Sequence, residues 1–442
     1  MTETAAARRP TAVAAVARAM TSWRTASVAL LSFSSGLPLG LVWIAIPDWL
    51  RSGGVDIRVI GLVTLAQAPW SFKVVWAPLV DRYAPPFWGR RRGWVALTQV
   101  ALVGCLLALA ALGHHPATPW LIGVLALAIA FAAATQDIAY DAYTVDVLRP
   151  EEQGVAVGAR TALYRAAMYV AGGLAITLAG VWSWPVVDVG LALLLLPFLV
   201  VTGKAPEPAQ ATAPPARLRD ALWYPFLGFL ARPRALEILA FVFFYKLADN
   251  LAGALLRPFL VDMGFDDFDR GVALATVGLL GTVVGTFLGG VLTTAMGLGH
   301  ALWVFGAVQI VSNLGYVLIA QAGLDRLLMY GATGFESLTS GLGTGAFAVL
   351  LLRLTEKRFS ATQYALFSSL FGLPRIVAGP LSGLAVDAVG WEAFFWSTMA
   401  AGIPGLLLLH RFSPLGVREP RVAPDEVRAA APGPALSRAD LA

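Results

Sequence analysis

The chain has 442 residues, of which 58% are hydrophobic and only 13% charged, and its formal net charge is +5. Soluble domains average about 45–50% apolar and about 25% charged residues, so this balance excludes an ordinary soluble enzyme and requires many membrane crossings. A single cysteine, Cys105, excludes a disulfide framework, and basic residues scattered over the loops argue against a nucleic-acid-binding domain.

Residues 1–25 are Ala-rich, carry Arg8, Arg9, Arg18 and Arg24, and read as a cytoplasmic tail. A cleaved signal peptide does not fit, because the apolar run that follows is too long and is broken by Gly36, Pro38 and Pro47. A crossing helix needs about 20 apolar residues. Twelve segments qualify, near 26–50, 59–80, 94–112, 119–147, 154–181, 185–202, 235–260, 270–296, 300–321, 326–352, 361–387 and 391–411.

Most Lys and Arg residues then fall on one side, together with both tails, and only Arg51, Arg58, Arg270 and Arg326 fall in connections on the other. Basic loops stay in the cytoplasm, so both termini are expected there. The break at 203–234 opens with a Pro/Ala-rich stretch through Pro214 and Pro215. It continues from Arg217 to Arg232 as an amphipathic helix on the inner leaflet, anchored by Trp223, Tyr224 and Phe226. It divides the spans into two six-helix bundles, 26–202 and 235–411, followed by a polar tail, 412–442. A faint repeat joins the two: Pro47, Gly54 and Gly61 in the first half match Pro258, Gly264 and Gly271 in the second. The expected fold is therefore all-α, twelve transmembrane helices in two bundles with a site between them.

Between spans 2 and 3 lies Asp81-Arg82-Tyr83, followed by Gly89-Arg90-Arg91-Arg92. An acid closing one helix can pair with arginines and with the N-terminus of a neighbouring helix, forming a clasp that holds one conformation and releases in another. These residues are gating candidates. Three arginines can equally serve only to fix topology.

The fourth span carries the most unusual stretch. Asp137, Tyr140, Asp141 and Thr144 fall at i, i+3, i+4 and i+7, on one helical face within an apolar run. Carboxylates at such depth cost several kcal/mol unless they face a partner or a polar cavity. Other ionisable residues inside the spans are Lys73, Arg160, Arg165, Lys246, Asp249, Arg257, Glu336 and Arg375. Lys246, Asp249, Asn250, Gly253 and Arg257 share a face of span 7. Each group could equally form ion pairs that only fix packing. The cations outnumber the acids, which points to an anionic substrate. No histidine lies at depth, so proton coupling would fall to Asp137, Asp141, Asp249 or Glu336. Trp43, Trp70, Tyr140, Tyr143, Tyr164 and Tyr245 are of a type that stacks on sugars, although aromatics in spans more often pack. No Walker A loop, metal-ligand cluster or nucleophile–base pattern is present, so no cofactor, metal or catalytic residue is expected.

The 77–93 loop resembles the signature of the major facilitator superfamily. Several runs together resemble the AmpG muropeptide permeases within it: Ser35-Gly36-Leu37-Pro38, Lys73 through Tyr83, Gln136 through Leu148, Tyr164-Arg165, Tyr245 through Asp249, Phe335-Glu336, and Phe359 through Leu366. The resemblance covers about 26–411. It implies proton-driven import of anhydromuropeptides, cell-wall glycopeptide fragments, across the bacterial inner membrane for peptidoglycan recycling. The partners would be this substrate, protons and the bilayer, with no nucleic acid, in a monomer. Substrate-binding candidates are Lys73, Tyr140, Arg165, Lys246, Asn250, Gln363 and Arg375. An importer of another anionic metabolite, such as a siderophore or acetyl-coenzyme A, shares much of this framework. A non-transporting sensor or scaffold is a further alternative.

Overall fold

The computed structural model describes residues 12–112, 119–207, 218–420 and 422. His114 and His115, the Pro214–Pro215 stretch, Arg217 and most of both tails lie outside the described residues. Those described form helices and turns, without a strand. A short helix α1 (Ala12–Thr21) precedes α2 (Trp23–Ser52), a broken run α3 (57–82), α4 (Arg90–Ala111), α5 (Pro119–Val147), α6 (Gln153–Val181) and α7 (Trp184–Lys204). After a linker helix α8 (Leu218–Leu230) come α9 (Ala235–Asp262), α10 (Phe268–Met296), α11 (Leu298–Ala322), α12 (Arg326–Leu354) and α13 (Ser360–Phe412).

Among the described residues, 10 helices are long and apolar enough to cross a membrane. The expected second span is instead short helical pieces joined by 3₁₀ turns at Thr64–Gln67 and Lys73–Val75. Pro69 and Pro78 lack the N–H that an unbroken helix would need there. The expected eleventh and twelfth spans run together as α13, interrupted where Gly390 leaves helical geometry (φ 76°, ψ 172°); only Leu381–Phe412 counts among the ten.

The faint Gly/Pro repeat has a physical basis. Gly54 and Gly264 both adopt positive φ, 80° and 86°, directly after α2 and α9. Each is followed by the same bond pattern: Val55 N–H donates to Leu50 C=O at 3.0 Å, and Phe265 N–H donates to Leu260 C=O at 3.2 Å. A left-handed residue that ends a helix this way favours glycine.

Within the first half α2 lies against α6, and α4 packs between α5 and α7; within the second, α10 lies against α12 and α9 against α13. Small residues permit this. A Cβ at Gly36 would fall 2.4 Å from Tyr164 O, and one at Gly285 2.1 Å from Leu338 O. The halves meet through α6 against α10 and α5 against α13.

At the end carrying the 82–92 arginines, one buried apolar cluster crosses both halves, including Tyr143, Leu148, Phe241, Phe347 and Phe367. At the opposite end each half keeps its own cluster, around Leu37, Trp49 and Leu191 in the first and around Phe259, Tyr316 and Phe395 in the second. The molecule is thus sealed at the arginine-rich end.

Candidate functional site

The seal is built around Asp81. The run α3 stops at Arg82 because Tyr83 turns extended ahead of Pro85 and Pro86, and α4 starts after Gly89, whose φ of 75° and ψ of −179° suit only glycine. Asp81 is fully buried. It accepts Arg91 Nη2–H at 2.7 Å, Thr362 N–H at 2.8 Å, Thr362 Oγ1–H at 2.7 Å and Ala361 N–H at 3.2 Å. A carboxylate therefore satisfies the orphan amides at the start of α13, where the helix dipole favours negative charge. Arg91 also donates to Asp146 at 2.9 Å and to Ser360 Oγ at 2.7 Å, joining α3, α4 and α5 to the other half. Arg90 donates to the Asp81 carbonyl at 3.1 Å. Arg92 ties α4 to the end of α7 through Ala205 O at 2.7 Å and Glu207. Arg82 lies over the Tyr83 ring at 5.5 Å.

Toward the middle of the first half, Asp141 receives Arg160 Nη2–H at 2.6 Å and faces Lys73 Nζ at 3.4 Å. One turn earlier, Asp137 accepts Ser35 Oγ–H. Lys73 sits in the 3₁₀ break of α3. The Arg160 guanidinium lies 4.9 Å over the Tyr140 ring and close to Tyr364 of the second half. Its Nη1 is buried and has no hydrogen-bond partner among the described residues.

In the second half α9 breaks at Lys246 (φ −107°, ψ 5°). Lys246 Nζ donates to Asp249 at 2.6 Å, Gln309 Oε1 at 3.0 Å, and Ser340 O and Oγ at 2.9 and 3.2 Å. Ser340 Oγ–H in turn reaches Asp249 at 2.6 Å. Glu336 accepts the Tyr316 hydroxyl at 3.2 Å. Both interior lysines thus stand where a helix is interrupted, the usual position of a transporter's binding groups.

The remaining candidates are dispersed. Tyr140 belongs to the first cluster through its ring, but its hydroxyl donates to Val28 O at 2.7 Å. Asn250 bonds back to Lys246 O at 2.7 Å on its own helix. Arg165 is exposed and reaches Met168 Sδ at 4.0 Å. Gln363 lies at the arginine-rich seal, where it accepts Glu356 N–H at 2.7 Å and donates to Pro225 O of α8 at 3.0 Å. The side chain of Arg375 lies outside the described residues. Of the aromatics, Tyr143 and Tyr245 are buried and bonded to backbone carbonyls, whereas Trp43 is exposed and stands edge-on to Trp70 at 6.4 Å.

The structure also adds Ser35, Gln309 and Tyr364 to these clusters, and it brings Arg160 onto Asp141. Polar side chains in apolar runs were the available signal for them. A further acid, Asp188, is fully buried near the start of α7, with neither carboxyl oxygen hydrogen-bonded among the described residues.

The profile of the Major Facilitator Superfamily matches residues 28–335. The fold is also that of a bacterial homologue of the iron transporter ferroportin in its outward-facing state, with a TM-score of 0.66 at 14% identity over 88% of this chain and 98% of that one. It is likewise that of the human organic anion transporter MFSD10, with a TM-score of 0.58 at 15% identity over 88% and 99%. The class is therefore a secondary transporter of the major facilitator type, not an enzyme. The anhydromuropeptide permease of Escherichia coli (strain K12) is 42% identical over 391 residues, 87% of this chain and 79% of that protein. An uncharacterized protein of Haemophilus influenzae is 37% identical over 88% and 94%, and the putative transporter AmpG 4 of Rickettsia felis 29% identical over 88% and 96%. Within the superfamily, the chain belongs to the AmpG permease family.

Proposed function

We propose that the protein imports anhydromuropeptides by proton symport across a bacterial inner membrane, for recycling of the cell wall. The 42% identity to a permease of that name supports the substrate class. In this reading 57–82 and the first part of α13 are the remaining two crossings, making twelve in two bundles of six. The arginine-rich end and both termini are cytoplasmic, by the bias of basic loops. The functional unit in this reading is a monomer.

The observation that carries the reading is the sharing of Asp141 between Arg160 and Lys73 in a molecule sealed at its arginine-rich end. Asp137, Asp141, Lys73 and Arg160 together are neutral when all are ionised. A substrate carboxylate entering from the open side takes donors from Lys73 and Arg160 and adds a negative charge. A proton on Asp141 or Asp137 restores neutrality, so anion and proton load together. Release of Asp81 from the start of α13 then opens the cytoplasmic end.

The test is uptake of radiolabelled anhydromuropeptide into vesicles of defined orientation. Accumulation that requires an acid exterior and collapses with a protonophore is expected. Equal accumulation without a pH gradient would sink the symport, and uptake of a siderophore or acetyl-coenzyme A in place of this ligand would sink the substrate assignment.

A further inference from the structure

The seal has two sides, and only one is explained by the Asp81–Arg91 clasp. Helices α5 and α12 are each 29 residues long, and Asp146 and Arg353 are the penultimate residue of each. The helices that follow, α6 and α13, begin at Gln153 and Ser360. Superposing the halves end on end therefore matches Asp146 with Arg353 and Ser360 with Gln153. On the first side, Arg91 at the start of α4 links Asp146 to Ser360 of the opposite half. On the second side, Arg353 donates directly to Gln153 of the opposite half at 3.2 Å. The start of α11, where a counterpart of Arg91 would stand, holds Gly297 and Gly299 instead.

The space those glycines leave is filled by the chain's own C-terminal segment. A Cβ at Gly297 would fall 2.3 Å from Arg418 Cγ, and one at Gly299 2.0 Å from Val417 O. Gly299 N–H donates to Arg418 O at 2.9 Å, and Arg418 Nη2–H donates to Ala295 O at the end of α10 at 2.8 Å. Trp303 Nε1–H holds Ser413 O at 2.8 Å, and Ser413 is fully buried. Glu419 then pairs with Arg353. The segment thus brings a cation to the α10–α11 turn and, at the end of α12, an acid that holds Arg353, the residue that reaches Gln153.

We propose that the Arg353–Gln153 bond is the second clasp of the cytoplasmic gate and that residues 413–419, through Glu419, position Arg353 to make it, so that Arg353 must part from Gln153 before the molecule opens inward. The proposal rests on the alternating-access reading above, but not on the identity of the substrate.

The test uses the full-length protein in liposomes without substrate. Cys105, the one native cysteine, is changed to Ala. Spin labels are attached through Glu151→Cys and Lys357→Cys, exposed residues in the turns on either side of the gate. Pulsed electron resonance then reads the distance across it. Glu419→Gln and Arg353→Gln should each raise the long-distance population about three- to fivefold, the scale of a half-exposed ion pair. The exchanged pair Arg353→Glu with Glu419→Arg should return it toward the original. A distribution unchanged in both single variants, while Asp81→Asn shifts it, would overturn the second clasp and leave alternating access standing. No shift in any variant, Asp81→Asn included, would count against the gating reading itself. Rises in the single variants without recovery in the exchanged pair would assign the effect to lost packing and overturn the ion-pair role.

Discussion

The two halves bury similar residues to different ends. In the first, one carboxylate, Asp141, is shared by two cations, and donors are left over: Lys73 reaches Asp141 only at 3.4 Å, and Arg160 Nη1 has no partner among the described residues. In the second, one ammonium, Lys246, meets Asp249, Gln309 and Ser340, which occupies all its protons, while Asp249 Oδ1 is buried with no hydrogen bond among the described residues. The first half has donors to offer and the second has an acceptor. A ligand carrying both carboxylates and sugar or amide donors would suit the two clusters together. Interior charge by itself is therefore a poor guide to binding; what matters is which hydrogen-bonding capacity remains unspent.

The largest test of that contrast is Asp141→Asn. The amide keeps the shape and removes the ionisable group that two cations share, so accumulation against a gradient should vanish, with the internal-to-external ratio falling to about one by the coupling argument. Insertion and folding should persist, as judged by monodisperse elution in detergent. Normal accumulation in this variant would remove Asp141 from the coupling role.

Lysine replacements should separate the halves by kind of effect. Lys73→Gln removes an under-used donor, so KM should rise by roughly ten- to a hundredfold, the range of a charge-assisted hydrogen bond. Thermal stability should change little. Lys246→Met should do the reverse. It strands Asp249 in a buried site, a change that costs about 3–5 kcal/mol when one partner of a buried pair is removed. The melting temperature should fall well before affinity does. A variant of Lys246 that folds normally but loses affinity would erase the distinction drawn between the clusters.

How much of this was legible in the sequence depends on the range of the interaction. The apolar runs, the basic loops and the Gly89 turn are local signals, and they marked most of the long helices and the arginines beside Asp81. Asp137 and Asp141 were visible as acids inside an apolar run. That Asp81 would seat on the amides of α13 was legible only as a general possibility of its position, because its partners lie about 280 residues away in the chain. The break at Lys246 has no proline or glycine beside it, since Tyr245 and Leu247 flank it; it is imposed by tertiary bonds to Gln309 and Ser340. Gln363 illustrates the converse. It was a substrate-binding candidate, yet its amide is spent between the Glu356 backbone and α8, within the seal.

The smallest expected effect comes from a charged cluster at the surface. On the face opposite the arginine-rich end, Asp266 accepts Asp269 N–H at 2.7 Å and meets Arg326 at 3.0 Å. The Asp269 backbone bond, with help from Arg326, holds the Asp266 carboxyl below the ordinary carboxylate value. A depressed carboxyl contributes stability above its unfolded pKa, and that contribution is lost as pH falls through the folded one, in this case below about pH 4. Hydrogen exchange at the amides of 267–270 should therefore accelerate, relative to its intrinsic rate, only on strong acidification. Asp266→Asn should flatten that dependence while leaving transport near neutral pH unchanged. The residue is exposed and screened, so the effect should be local and small. If the same substitution lowered uptake at neutral pH, exposed and interior carboxylates would no longer differ in kind, and the division of labour between cap and coupling acid would fail.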